Sequence, residues 1–338
     1  MPRRTRVSDI VIGLTAVVIA VTAGEPRVLT VRRSRDPRGK QSRGIEEAFE
    51  ALPFGPFDPV GHRTLELGLR SWVGEQTKLS LGYVEQLYTF ADRGREVRAS
   101  DGAARTVSIG YLALVREARP AGKDDAQWQN WYRYFPWEDA RKGRPAIVGE
   151  TMQPRLAAWA AAAGDAQECR RRDERVRSAF GVAPAPWDEE RVLDRYELLY
   201  EAGLVAEAAH DRGAKIDPGL RALGRPMAFD HRRILATAMS RLRGKLKYRP
   251  VVFELMPPTF TLLQLQQTVE ALAGMGLHKQ NFRRLVEQGG LVERLGVWER
   301  GTGGRPAEKF RFRREVLLER PAPGVRLPVS RRAAAAGH

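Results

Sequence analysis

The chain has 338 residues, with 57 Lys and Arg against 41 Asp and Glu and a formal net charge of +16. That length suits about two domains, and 43% hydrophobic with 29% charged residues excludes a disordered or collagen-like chain. A single cysteine, Cys169, excludes an internal disulfide framework and a Cys-cluster zinc site, five scattered histidines argue against a His-rich metal enzyme, and the positive surplus points to a polyanion, either nucleic acid or a membrane surface.

Arginines at positions 3, 4 and 6 precede an apolar run over 10–23, the outline of a secretory signal. The run falls short of the ~20 residues of a membrane helix. Its β-branched members (Val11, Ile12, Thr15, Val17, Val18, Ile19, Val21, Thr22) favour a buried strand. Gly24-Glu25-Pro26 then turns into a second strand-like run, 28–31. Two strands opening a sheet, in a cytoplasmic protein, are expected. A loop over 34–44 is crowded with Arg, Lys, Gly and Pro, and 52–57 is turn-rich with exposed-looking aromatics. Leu65, Leu69, Trp72, Val73 and Gln76 form one helical stripe within 62–79, and strands follow at 84–90 and 106–115. These elements define a first domain, 8–138.

An Ala- and Arg-rich insert, 139–227, has helical stretches over 156–180 and 189–210, split by Gly181, Pro184 and Pro186. A solvated helical appendage is the expectation, with a dimer contact through Tyr196–Tyr200, Leu204 and Val205 as the alternative. A linker helix over 230–247, within 228–250, carries Ile234, Leu235, Ala238, Leu242 and Leu246 on one side. The segment 319–338, rich in Pro and Arg with a four-alanine run, reads as a disordered basic tail.

The block 251–318 carries the clearest chemistry. Thr261 followed by Gln264 is a capping pattern, Leu262, Leu265, Val269 and Leu272 make a buried stripe, and Gly274-Met275-Gly276 ends the helix. In a second helix, 278–288, Phe282, Leu285 and Val286 point inward while Lys279, Gln280, Arg283 and Arg284 point outward. Strands over 291–299 and 307–313 flank a basic glycine-rich loop holding Arg300 and Arg305. Two helices and a basic hairpin predict a winged helix-turn-helix whose second helix enters the major groove of double-stranded DNA. The predicted contacts are Lys279, Gln280, Asn281, Arg283, Arg284, Arg300, Arg305 and Lys309, since Arg and Lys bond guanine edges and Gln and Asn pair with adenine.

These residues also carry a family resemblance. Tyr83-Val84-Glu85-Gln86-Leu87-Tyr88-Thr89-Phe90 and Ser108-Ile109-Gly110-Tyr111-Leu112-Ala113-Leu114-Val115 resemble the Nudix half of Nudix-related transcriptional regulators. Ala228-Phe229-Asp230-His231, Val252-Phe253-Glu254-Leu255, Asn281-Phe282-Arg283-Arg284 and Gly304-Arg305-Pro306-Ala307 resemble their winged-helix half. The insert, with Arg195-Tyr196-Glu197-Leu198-Leu199-Tyr200-Glu201-Ala202-Gly203-Leu204, looks like the longer branch of NAD-biosynthesis repressors. The fold class implied is α+β: a Nudix-like mixed α/β sandwich, a helical insert and a C-terminal winged helix-turn-helix. The resemblance implies a dimeric repressor of NAD biosynthesis or related nucleotide metabolism. It would bind a palindromic operator and respond to ADP-ribose, NAD or ATP, with no cofactor required and no membrane partner.

Catalytic Nudix domains need G-x5-E-x7-R-E-U-x-E-E-x-G-U, whose glutamates hold divalent cations. Ending the pattern on Leu79 puts Ser71 and Trp72 at Arg-Glu and Glu75 and Gln76 at Glu-Glu; one residue back puts Arg70 and Ser71, then Gly74 and Glu75, there. The upstream Glu falls on Arg63 or His62 and the opening Gly on Phe57 or Pro56. Only Glu75 remains of the later carboxylates, so the expectation is a lost hydrolase and no metal site. Glu66 pairing with Arg70 is the structural alternative to metal binding. A retained cleft implies nucleotide contacts from Arg32, Arg33 and Arg35 on the phosphate side, from Phe54, Phe57, Tyr88 and Tyr111 by stacking or lining, and from Glu75. The competing expectation is an active nucleotide diphosphate hydrolase with a basic appendage.

Overall fold

The computed structural model describes residues 10–33, 49–91, 105–117, 126–215, 217–299 and 306–325, so the basic 34–44 loop lies outside the described residues. β1 (Ile10–Thr22) and β2 (Glu25–Arg33) form a hairpin through Ala23 and Gly24, both at positive φ as a primed two-residue turn requires. β2 thus starts three residues earlier than predicted. β3 (Phe49–Ala51) pairs with β2 and β4 (Phe54–Pro56) with β1. After α1 (Leu65–Thr77), β5 (Tyr83–Phe90) pairs antiparallel with β6 (Arg105–Leu114), which runs parallel to β1, and β7 (Gln127–Asn130) joins β2. No helix among the described residues is long and apolar enough to cross a membrane.

β1 is buried on both faces, which explains its near-continuous apolar run. Leu14, Ala16, Val18 and Ala20 join Leu69 and Val73 of α1 in one cluster, while Val17 and Ile19 belong to a second. The second face is covered by α6 (His231–Tyr248), whose Ile234, Leu235, Ala238, Met239, Leu242 and Leu246 are buried. α6 packs on β1, β5 and β6 and is therefore a core helix of the sandwich rather than a linker.

The insert is also different from expectation. Each predicted helix breaks in two: α2 (Gln153–Ala161) and α3 (Ala166–Phe180) part where Asp165 caps a new N-terminus, and α4 (Val192–Glu201) and α5 (Ala206–Asp211) part at Gly203 (φ 72°). Phe180, Val192, Tyr196, Leu198 and Leu199 are buried, and α4 lies along α6. The insert is not a solvated appendage, because α6 covers the apolar face of α4.

The last block contains β8 (Phe260–Thr261), α7 (Leu262–Ala273), α8 (Lys279–Gln288), β9 (Val292–Glu299), β10 (Ala307–Phe312) and α9 (Val316–Glu319), with a sheet ordered β8-β10-β9. The capping box is present, Thr261 Oγ1 accepting from Gln264 N and Gln264 Oε1 from Thr261 N. Part of the predicted disordered tail is placed: Val325 is buried and its N–H donates to Leu246 O at 2.8 Å, because an apolar side chain finds a groove beside α6. Residues 326–338 lie outside the described residues.

Candidate nucleic-acid interface

α8 is positioned by Phe282 and Val286, one helical turn apart and buried against α7. That geometry leaves Gln280, Arg283 and Arg284 exposed away from the buried pair and Lys279 exposed at the helix's first turn, with Asn281 half-buried. Arg284 donates to Asn281 Oδ1 at 2.7 Å. Lys279 and Arg283 make no ion pair among the described residues. The charge placement runs against the helix dipole: Lys279 opens the first turn, no acid balances it there, and no base sits in the last turn. A polyanion at this end relieves that conflict, and free N–H groups of the first turn add donors.

The wing supplies what the helix lacks. Arg294 on β9, not anticipated from sequence, bonds Glu287 of α8 at 2.7 Å and Glu308 of β10 at 3.3 Å, neutralising the carboxylate at the helix's far end. The antiparallel pairing of β9 with β10 brings Arg294 within reach of Glu308. Lys309, by contrast, lies 3.2 Å from Glu299 in a cross-strand pair, so its charge is already partnered. Arg300 and Arg305 lie outside the described residues.

In the front domain, α1 spends its polar side chains on structure. Trp72 Nε1 donates to Pro56 O (2.7 Å), Gln76 bonds both Phe54 N and Phe54 O (3.2 and 2.8 Å), and Arg70 pairs with Glu66 while bonding Leu81 O and Gly82 O. Glu75 is exposed and accepts from Ser71 Oγ at 3.0 Å. Glu66 and Glu75 are nine residues apart, which places them about 180° around the helix and roughly 13 Å along it. These residues do not fit a shared divalent cation. Asp188, Glu189 and Glu190 cluster elsewhere, but Lys247 pairs with the last two at 2.8 and 2.5 Å.

The predicted nucleotide contacts are dispersed. Tyr111, 4% exposed, is packed in the α1-side cluster, where burial and then the Glu66 charge raise its pKa; it is core, not pocket lining. Phe57 also faces that side, against His62. Phe54 meets Phe229 and His231 edge-on, and Tyr88, 63% exposed, touches Phe90. The four aromatics thus lie on different sides of the sheet. Arg32 is exposed; the Arg33 side chain and Arg35 lie outside the described residues. A cleft of about 520 Å³ opens elsewhere, between the β1–β2 turn, Asp139–Lys142 and α7, and none of the predicted contacts lines it.

Beneath that cleft is a charge cluster that sequence reading missed. Glu138 is fully buried between Arg195 of α4 and Arg243 of α6, with N–O distances of 2.6, 2.9 and 2.6 Å. Burial opposes ionisation of Glu138, but the two guanidiniums outweigh it and hold the carboxyl below its ordinary range.

Fold and interface together define an α/β/α sandwich of Nudix type joined through a helical insert to a winged helix. Residues 252–312 match the family model for the NrtR DNA-binding winged helix domain. A relative, the ADPR responsive transcriptional repressor NtrR of Acinetobacter baylyi, is 40% identical over 92 residues, 27% of this chain. That match spans 36% of the repressor's length. The MutT/nudix family protein of Enterococcus faecalis, 16% identical, has a similar fold (TM-score 0.50, 93% of this chain and 89% of that one). NrtR of Shewanella oneidensis, solved with a 27mer DNA, is 22% identical over 90% of this chain and 94% of that one, with a TM-score of 0.49. The chain is similar to Nudix-related transcriptional regulators of the NrtR type.

Proposed function

We propose that the chain is a DNA-binding transcriptional repressor governed by a nucleotide, with ADP-ribose the first candidate and NAD or ATP the others. The observation that carries this reading is the exposed face of α8, whose Lys279 and Arg283, without an ion pair among the described residues, sit at the positive end of a helix held by an NrtR-type winged helix. ADP-ribose ranks first because the 40% identical relative is described as responsive to it. Lys279, Gln280, Asn281, Arg283 and Arg284 are the proposed base and phosphate contacts, joined by Arg300 and Arg305. The working division is a sensing domain over 8–138, an insert over 139–227, α6 and its flanks over 228–250, and a DNA-binding domain over 251–318. A homodimer on a palindromic operator follows if two α8 helices are related by a two-fold axis.

Mobility shifts with duplexes recovered by genome-wide mapping test the reading. Specific binding survives competitor DNA and moderate salt, whereas purely electrostatic binding fades steeply. The hydrolase reading is disfavoured by α1, whose carboxylates diverge. With Mg²⁺ or Mn²⁺ and ADP-ribose, no product release is expected; release abolished by Glu75→Ala would favour the enzyme.

A further inference from the structure

We infer that Tyr132, Glu138 and Arg243 are positioning residues for α8, forming a socket that fixes the turn between α7 and α8 from outside the winged helix. The inference rests on the DNA-binding reading above. A helix ends with unsatisfied carbonyls. Three groups at the end of α7 are bonded by residues of the sandwich and insert boundary: Tyr132 Oη donates to Ala271 O (2.7 Å), Arg243 Nε to Leu272 O (3.0 Å) and Ala140 N to Gly274 O (2.8 Å). Ala140 and Met275 also form a parallel β-bridge.

The turn is pressed onto the same residues. Gly274 sits at φ 71°, and a Cβ there would lie 2.3 Å from Glu138 O, 2.6 Å from Arg243 Nη2 and 3.0 Å from Tyr132 Oη. A Cβ on Gly276 would lie 2.9 Å from Arg141 O. Arg243 is held in turn by Glu138, and Glu138 by Arg195 of the insert. This gives the insert a role: α4 completes the buried cluster on which the DNA-reading turn is mounted. Tyr132 lies two residues past Asn130, the last residue of β7, whose side chain bonds Glu25 at 2.7 Å, so the socket belongs to the sheet of the front domain.

The test compares the full-length wild type with Tyr132→Phe and with Tyr134→Phe. The second variant removes another buried hydroxyl bond, from Tyr134 to Glu50 at 2.5 Å, without touching the socket. In Tyr132→Phe, hydrogen exchange over 274–288 is expected to rise several-fold while α1 keeps its rate, and binding to a mapped duplex to weaken about fivefold. Tyr134→Phe is expected to leave both readouts at wild-type values even where its urea midpoint falls as far. Equal exchange over 274–288 in the two variants would overturn the inference. Raised exchange in Tyr132→Phe, with no duplex bound by any of the three proteins, would keep the socket and remove the DNA-binding reading.

Discussion

Replacing Glu138 by Gln keeps the side-chain volume and deletes one charge from a fully buried cluster. Arg195 and Arg243 are each 0% exposed and would be left as uncompensated guanidiniums. Removing one partner of a buried ion pair costs about 3–5 kcal/mol. Carbonyls soften the loss here, because Arg195 also donates to Ala179 O and Asp188 O (both 2.9 Å) and Arg243 to Leu272 O and Glu189 O (both 3.0 Å). The lower end, about 3 kcal/mol, is therefore expected. With a urea slope of about 3 kcal/mol/M, the midpoint falls by roughly 1 M. The assay is urea unfolding followed by far-UV circular dichroism. A double-mutant cycle with Arg195→Met should return a coupling of more than about 1 kcal/mol, since the two groups touch. A fall under roughly 0.3 M, or additive single effects, would refute the assignment of this cluster as a stability centre.

Acid unfolding should report the same carboxyl. Its folded pKa lies below the ordinary 4.5, so its contribution is complete at neutral pH and is lost as pH falls below about 4.5, where the unfolded chain takes up the proton first; Glu138→Gln should flatten that limb of a stability–pH curve. Arg283→Glu with Arg284→Glu should abolish binding to a mapped duplex with stability held within roughly 0.5 kcal/mol, and the corresponding alanine pair should lower the log–log salt slope by about 1.8. Tight binding retained by the reversed pair would show that another face reads DNA. Thr261→Ala removes the N-cap of α7 and should cost about 1 kcal/mol by urea unfolding.

Legibility followed periodicity. β1, α1, α6, α7 and α8 were readable because a β-branched run or a 3.6-residue stripe repeats long enough to fix the buried face, and the capping box at Thr261 marked a boundary to the residue. Glu138, Arg195 and Arg243 were not readable, because each looks like a surface charge until its partner, 57 or 105 residues away, is brought beside it. A trace was present: Arg243 falls between Met239 and Leu246 at helical spacing on the buried stripe of α6, where an unpartnered charge would be untenable. The facing of the four aromatics was unreadable for a different reason. Aromatic identity carries no facing information unless strand register is known, and the bulge between Gln86 and Thr89 shifts the phase of β5 against β6.

The polar side chains of α1 and the buried cluster both serve structure. On α1, Trp72 and Gln76 bond the backbone of β4 and so stiffen the sheet. On the opposite face, buried charge is retained where a uniquely placed surface is needed, under the turn that carries α8. An apolar cluster of equal volume would hold the layers together, yet it would lack donors for the carbonyls of Ala271 and Leu272. Directional bonds from Tyr132 and Arg243 fix angle as well as distance, and the proposed match of α8 to the spacing of DNA phosphates would depend on that angle.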